Sequence, residues 1–169
     1  WPQQDLKGSP VMIRKNSKPA SIIYECEQSL KRLQTDFIDI YQIHWPDPTT
    51  PIEDAWSAMV KLKEEGKVRA IGVSNYSREQ LEQAYSISPV DSLQPPYSLV
   101  RRAIELDIVP FAIKHQIGII VYSPLERGLL TGKITPGYQF PKNDHRATSS
   151  TFSSENRHKV HKALEKIRP

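Results

Sequence analysis

The sequence has few of the features that would mark several other classes of protein. Its single cysteine, Cys26, cannot form an internal disulfide, and no apolar run reaches the roughly 18 residues needed to cross a bilayer. No Gly-x-Gly-x-x-Gly turn follows an apolar segment, which argues against a Rossmann-type dinucleotide site. The chain starts at Trp1 without a basic and apolar leader, so we expect no signal peptide and a cytoplasmic protein with a buried thiol at Cys26.

The charge is only mildly positive, with 23 Lys and Arg residues against 19 Asp and Glu residues and a formal net charge of +4. Basic residues are spread among acidic ones, and no zinc-finger spacing or aromatic RNA-binding signature is present. We therefore expect no nucleic-acid and no membrane partner. The mildly positive charge is also compatible with binding an anionic small molecule. His158 and His161 lack a third ligand at suitable spacing, so no metal site is expected.

Helical and strand patterns alternate along the chain. Strands are predicted at 37–45, 68–75, 92–97 and 117–123 from their β-branched, aromatic or apolar residues. Helices are predicted at 19–34, from a capping box at Thr50–Glu53 to Gly66, from a second capping box at Ser77 and Gln80, around 101–107 and 110–116, and at 153–167. A long polar loop is expected over 129–156.

The regular spacing of these strands predicts one α/β domain over residues 1–169. Successive strands start about 23 to 31 residues apart with a helix between them, which favours parallel strands in a doubly wound sheet or a barrel. In parallel barrels, functional residues lie where strands end. Those ends carry His44, Ser74 with Asn75, Gln94, and Tyr122 with Ser123. Asp47, in the turn after His44, is expected to shape that turn.

Four stretches give the sequence a specific resemblance: LKRLQTDFIDIYQIHWPDP, EEGKVRAIGVSNYS, LQPPYSL and YSPLERGLLTGK. From about Ser17 to Lys133 they closely resemble the aldo-keto reductase superfamily, above all its bacterial and plant-type members related to potassium-channel β subunits. The resemblance implies a partial (β/α)8 TIM barrel containing roughly strands 4 to 7. The first three strands and the last strand are expected to be absent, since a complete barrel needs about 250 residues. Residues 1–16 resemble the loop after the third strand.

The resemblance also implies a role for each polar strand end. His44 matches the histidine that orients the substrate carbonyl, and Tyr122 matches the aromatic residue on which the nicotinamide ring stacks. Ser74, Asn75 and Gln94 match the residues that bind the nicotinamide carboxamide.

Further along the chain, the resemblance implies a phosphate-binding loop. Ser123, Pro124, Leu125 and Gly128 match residues that wrap the cofactor pyrophosphate. Lys133 adds positive charge near the phosphates, and Arg146 matches an arginine in the long loop of the channel-β-like members.

The implied function is reduction of aldehydes or ketones to alcohols, with NADPH, the reduced form of NADP(H), as hydride donor. The family's catalytic Tyr, Lys and Asp come from earlier strands and have no match here, so we expect this segment alone to be inactive. Two alternatives remain open: an NADP(H)-binding regulatory subunit resembling potassium-channel β subunits, and a degenerate fragment with neither role. Turnover by the full-length protein distinguishes the first alternative, and tight NADPH binding excludes the second.

Overall fold

Four short parallel strands, each preceded by a helix, organise the computed structural model, which describes residues 15–167. The helices and strands follow the predicted order: α1 Pro19–Leu33, β1 Ile38–Ile43, α2 Ile52–Glu64, β2 Val68–Ser74, α3 Arg78–Ile87, β3 Ser92–Gln94, α4 Ile108–Lys114, β4 Gly118–Ile119 and α5 Ser154–Ile167. Short 3-10 helices span Ala103–Glu105, Glu126–Thr131 and Ser150–Phe152. The loop expected in residues 1–16 lies, up to residue 14, outside the described residues.

The strands lie in the order β1-β2-β3-β4, and every neighbouring pair is parallel. This arrangement confirms the predicted α/β class and is consistent with part of a (β/α)8 barrel. The register aligns three residues in one row across the sheet, because Gln42 pairs with Gly72 and Gly72 pairs with Ser92.

The two faces of this sheet differ in chemistry because successive side chains on a strand point to opposite faces. One face carries a fully or nearly buried apolar set: Ile43, Ile71, Val73 and Leu93. The other face carries Gln42, Gly72, Ser74, Ser92 and Gln94. The apolar face holds the strands in place, and the polar face presents groups able to make hydrogen bonds.

By its contacts, the described chain divides into two units: residues 15–95 with 104–120, and residues 96–103 with 121–167. The first unit contains the sheet and a core that includes Trp56, Met59, Leu62 and Leu81. The second unit has its own core of Leu129, Ile134, Phe152 and Val160, against which Leu130, Tyr138, Phe140 and Leu164 pack. The single domain over residues 1–169 stays a prediction.

One of the two predicted capping boxes is wrong. The N-cap of α2 is Pro51, which has no side-chain cap, and the Thr50 hydroxyl instead donates to Asp47 Oδ2 at 2.7 Å. The hydroxyl is directed toward the charged Asp47 carboxylate, a strong acceptor, and the N-cap position falls to Pro51, whose side chain cannot form a hydrogen bond. The box at Ser77 and Gln80 is present on α3, and Gly66 ends α2 in the left-handed conformation as predicted.

The fourth strand is much shorter than predicted. The apolar run suggested a strand over 117–123, but regular pairing covers only Gly118–Ile119. Ile120 and Val121 are 40% and 37% exposed. Pro95 and Pro96 have no amide hydrogen to donate after β3, so regular pairing is interrupted there and resumes only as an isolated parallel bridge between Pro96 and Tyr122.

Candidate functional site

The first unit gathers polar groups at the carboxyl ends of three neighbouring strands. Ser74 Oγ, at the end of β2, donates to the Gln94 carbonyl on β3 at 2.7 Å. Asn75 Nδ2 donates to the His44 carbonyl at 2.9 Å and to Ser74 Oγ at 3.0 Å. The structure therefore joins four predicted site residues, His44, Ser74, Asn75 and Gln94, into one hydrogen-bonded edge.

Asn75 adopts a backbone conformation suited to this task. Its φ is 60°, a left-handed value that asparagine tolerates better than most residues. Its backbone amide lies 3.4 Å from the Gln94 carbonyl, so the turn after β2 is held to the end of β3. A β-branched residue at this position would be strained, which explains part of the residue choice in the IGVSN segment.

His44 lies beside a cavity of about 460 Å³ whose lining includes Lys15, Tyr41, Gln42 and Trp45. The His44 and Trp45 ring centroids are 6.2 Å apart, and Lys15 Nζ lies 4.5 Å from the Trp45 ring centroid. Trp45 is 41% exposed. A cavity with an imidazole and a partly exposed indole suits a small organic molecule that carries one polar group.

Asp47 holds the loop that follows His44. Its carboxylate accepts hydrogen bonds from the Ser17 amide at 3.0 Å, the Thr49 amide at 2.8 Å and the hydroxyls of Thr49 and Thr50, each at 2.7 Å. These bonds, led by those from the two backbone amides, keep the pKa of Asp47 well below its usual range. Asp47 thus shapes the turn, as predicted. Asp39 lies apart from this turn in an exposed ion pair with Arg69.

The second unit contributes a loop with an unusual backbone. Ser123, Glu126, Arg127 and Gly128 all have positive φ values, of 55°, 45°, 50° and 98°. The last three of these residues are consecutive, and the amides of Glu126 and Gly128 donate to the Ser123 and Leu125 carbonyls at 2.8 and 3.0 Å, so the loop closes on its own backbone. Backbone strain of this kind costs about 1–3 kcal/mol per residue and is concentrated at functional sites. The predicted residues Pro124 and Leu125 lie in this loop and are exposed.

Buried Glu126 stabilises that loop from within the second unit. Its carboxylate accepts from Ser98 Oγ at 3.0 Å and lies 3.4 Å from Arg101 Nε, while its side chain is only 2% exposed. Sequence reasoning missed Glu126, because its neighbours in LERG give no periodic signal of burial. Tyr122, at the start of the same loop, accepts from the Tyr97 amide at 3.3 Å through its carbonyl.

Arg146 lies against this loop but is already paired. Its guanidinium bonds to Asp144 at 2.7–3.2 Å and its Nη1 donates to the Arg127 carbonyl at 3.0 Å. The side chain of Arg146 lowers the pKa of Asp144 to about 2. A Cβ on Gly128 would come 3.7 Å from Arg146 Nη1, so the arginine borders the glycine directly. Lys133 is exposed.

Two kinds of feature are not found in residues 15–167: a cluster of metal-ligating side chains and a helix that could cross a bilayer. These residues contain no group of three or more His, Cys, Asp or Glu side chains arranged to hold a metal ion. His161 instead lies 3.4 Å from Glu165. The helices of the described segment are all too short or too polar to span a bilayer.

Three residues on the polar face of the sheet were not anticipated from the sequence: Gln42, Gly72 and Ser92. Gln42 Nε2 donates to Ser92 Oγ at 3.1 Å, and Gln94 Nε2 lies 3.4 Å from Gln42 Oε1. The signal was available, because Gln42 and His44 lie two apart in the predicted strand 37–45 and would share a face of it.

Comparison with known proteins agrees with this architecture. The family model described as "Aldo/keto reductase family" matches residues 5–168. Aldo-keto reductase YhdN of Bacillus subtilis is 48% identical over 82% of the chain and 42% of the relative. NADH-specific methylglyoxal reductase of Escherichia coli is 40% identical over 92% of the chain and 48% of the relative.

The fold also has a solved counterpart. A glycerol dehydrogenase from Gluconobacter oxydans superimposes with a TM-score of 0.86 at 43% identity, covering 90% of this chain and 46% of that structure. The chain spans about half the length of the relatives it matches.

Proposed function

Because the chain belongs to the aldo/keto reductase family, we propose that it contributes the cofactor-binding part of an enzyme that reduces aldehydes and ketones with NADPH. The observation that carries this proposal is the hydrogen-bonded edge of His44, Ser74, Asn75 and Gln94. Hydroxyl and amide groups at the ends of neighbouring strands suit a flat carboxamide, which both donates and accepts hydrogen bonds.

The residues present fit a nicotinamide cofactor in chemical type. In the first unit, Ser74, Asn75 and Gln94 offer the mixed donors and acceptors that a carboxamide requires. In the second unit, the amides of Glu126 and Gly128 already donate to the Ser123 and Leu125 carbonyls, so phosphate oxygens would be met by other groups of the loop Ser123–Gly128, among them the Ser123 hydroxyl. Tyr122 supplies a ring face for stacking, and Lys133 and Arg146 add positive charge.

A reduced nicotinamide, when bound, would supply the hydride that the carbonyl carbon accepts, and the proton for the oxygen would come from the family's catalytic Tyr, which has no match in this sequence. The side chains then have two tasks. His44 donates a hydrogen bond to the carbonyl oxygen, where negative charge develops. Asp47 keeps the loop after His44 in place through its hydrogen bonds to Ser17, Thr49 and Thr50.

The choice between the two nicotinamide cofactors is part of the proposal. The preference for NADPH follows from the family resemblance, because the phosphates near which Lys133 is expected occur in both cofactors, and Asp144 partly neutralises the charge of Arg146. The relative from Escherichia coli is named for NADH. Binding constants for NADPH and NADH, measured in the same buffer, decide between them. A tighter Kd for NADH would contradict the NADPH assignment.

The experiment that tests the function compares wild-type protein with His44→Ala in the natural protein that contains this sequence. We expect wild type to oxidise NADPH when given generic aldehydes. His44→Ala should lower kcat about 100-fold, since it removes one donor to the developing charge, with the Kd for NADPH within about twofold of wild type. Equal losses in both quantities, or a wild type that binds NADPH without turnover, would contradict the proposal. The isolated 169-residue chain is expected to show no turnover.

A further inference from the structure

The polar face of the sheet contains a bridge that crosses a whole strand. Gln42 on β1 and Ser92 on β3 both pair in register with Gly72 on β2, so β2 lies between them. Gln42 Nε2 nevertheless donates to Ser92 Oγ at 3.1 Å. Neighbouring strands in a sheet lie about 4.8 Å apart, so β1 and β3 are separated by roughly twice that distance. The two side chains can meet only if the space above the middle strand is unobstructed.

Gly72 provides that path. A Cβ at this position would collide with the hydroxyl and the carbonyl oxygen of Ser92 and would lie 3.1 Å from Gln42 Nε2. The φ of Gly72 is not in the left-handed range, so its lack of a side chain is required by space and not by backbone conformation. Ser92 is 4% exposed and Gln42 is half-buried, so the serine end of the bond is shielded from water.

The same glutamine also contacts a residue of the candidate site. Gln94 Nε2 lies 3.4 Å from Gln42 Oε1, at the long end of the hydrogen-bonding range. Gln42 therefore links two groups on β3, with its amide nitrogen bound to Ser92 and its amide oxygen facing Gln94. When the Gln94 nitrogen donates to Gln42, the Gln94 oxygen is turned away from Gln42.

We propose that Gln42 is a positioning residue that orients the side-chain amide of Gln94 so that its oxygen accepts from the N–H of the nicotinamide carboxamide. This inference rests on the proposed function, which has Gln94 bind that carboxamide. A side-chain amide has one donor end and one acceptor end. If Gln94 were reversed, its N–H groups would face the N–H groups of the nicotinamide carboxamide. In the observed arrangement Gln42 opposes the reversal by accepting from Gln94 Nε2, while its own Nε2 donates to Ser92 Oγ through the space that Gly72 leaves.

The test uses a cofactor that lacks the group in question. The 3-acetylpyridine analogue of NADP replaces the carboxamide NH2 with a methyl group, so it cannot donate to Gln94. Kd values for NADP and for this analogue are measured in the natural protein for wild type and for Gln42→Leu, Gln42→Glu and Gln94→Ala. Gln28→Leu, on α1 and outside the network, is the matched control for the change from amide to alkyl group.

Gln42→Leu should weaken NADP binding about tenfold and analogue binding less than about twofold, since only the hydrogen bond to the carboxamide N–H is lost. Gln42→Glu keeps an acceptor toward Gln94 Nε2 and should retain NADP affinity within about threefold. Gln28→Leu should change neither constant. If Gln42→Leu weakens both ligands equally, or weakens neither, the positioning role is wrong.

Gln94→Ala distinguishes failure of this inference from failure of the proposed function. Selective loss of NADP affinity in Gln94→Ala, with no such loss in Gln42→Leu, overturns the role of Gln42 alone. No loss in Gln94→Ala overturns the contact between Gln94 and the carboxamide, and with it both proposals. A Gln42→Leu protein that does not fold is replaced in the comparison by Ser92→Ala, which frees Gln42 Nε2 and should show the same selectivity in weaker form.

Discussion

The two units of the chain present candidate binding groups in different ways. The first unit places side chains at the ends of regular strands, above a core in which Ile71, Val73 and Leu93 are fully buried. The second unit relies on a left-handed loop, Ser123–Gly128, whose backbone is held by buried Glu126 and by the pair of Asp144 and Arg146. Strands position side chains firmly, whereas a loop depends more on the contacts that hold it.

The two units also suit ligand groups of different chemistry. A carboxamide needs donors and acceptors in a particular arrangement, which side chains on adjacent strands supply. Phosphate oxygens accept from any N–H or O–H group that points at them, so a less regular loop is sufficient. The comparison predicts that the first unit is sensitive to small steric changes on its sheet, and that the second unit is sensitive to the charges that hold its loop.

The largest effect on stability is expected from Gly72→Ala in the first unit. The new methyl group would overlap the Ser92 carbonyl and hydroxyl, and the backbone atoms involved cannot move aside cheaply. Overpacking of this kind costs about 1–3 kcal/mol, and we expect about 2 kcal/mol in the free energy of unfolding. Urea denaturation of the natural protein measures this value.

Gly137→Ala in the second unit is the matched control for that change. No atom lies within 4 Å of a Cβ at Gly137, and its φ is not in the left-handed range. Its free energy of unfolding should be unchanged or raised by up to about 1 kcal/mol, because alanine restricts the unfolded chain. Similar losses in the free energy of unfolding for Gly72→Ala and Gly137→Ala would mean that the sheet is no more sensitive to an added methyl group than the second unit.

A smaller effect on stability is expected when low pH protonates the two carboxylates that hold loops, one in each unit. Asp47 and Asp144 both have lowered pKa values, that of Asp144 being about 2 against an ordinary 3.8. A lowered pKa in the folded state stabilises the protein above the ordinary value, and this stabilisation is lost as the pH falls through the folded value. The contribution of Asp144 should therefore disappear between about pH 4 and pH 2.

Urea midpoints measured from pH 6 down to pH 2 check this expectation. Asp144→Asn and Asp47→Asn should each make the fall in stability below pH 4 less steep than in wild type. The Asp47 variant should show the greater change, because that carboxylate is buried and anchors two backbone amides. Variants that follow the wild-type slope would show that neither ionised carboxylate stabilises its loop.

Much of the fold was predictable from local patterns. The alternation of helices and strands, the capping box at Ser77 and the turn at Gly66 follow from residue periodicity and short-range chemistry. The clustering of His44, Ser74, Asn75 and Gln94 followed from a single rule, that parallel strands end at the same edge.

The remaining features depend on contacts between distant residues. Thr50 bonds Asp47 and not the start of α2, because the turn brings a carboxylate within 2.7 Å of its hydroxyl. The bridge from Gln42 to Ser92 depends on a register that places Gly72 between them, 50 residues of chain separating the two partners. The left-handed conformation of Glu126 and Arg127 could not be predicted from the sequence, since neither residue type prefers this conformation.

The most direct test of the account is a crystal structure of the natural protein with NADP bound, in which distances from the carboxamide are measured. We expect its oxygen and nitrogen to lie within about 3.2 Å of side-chain atoms of Ser74, Asn75 and Gln94. A carboxamide bound away from the carboxyl ends of β1, β2 and β3 would contradict the assignment of this edge as the nicotinamide site.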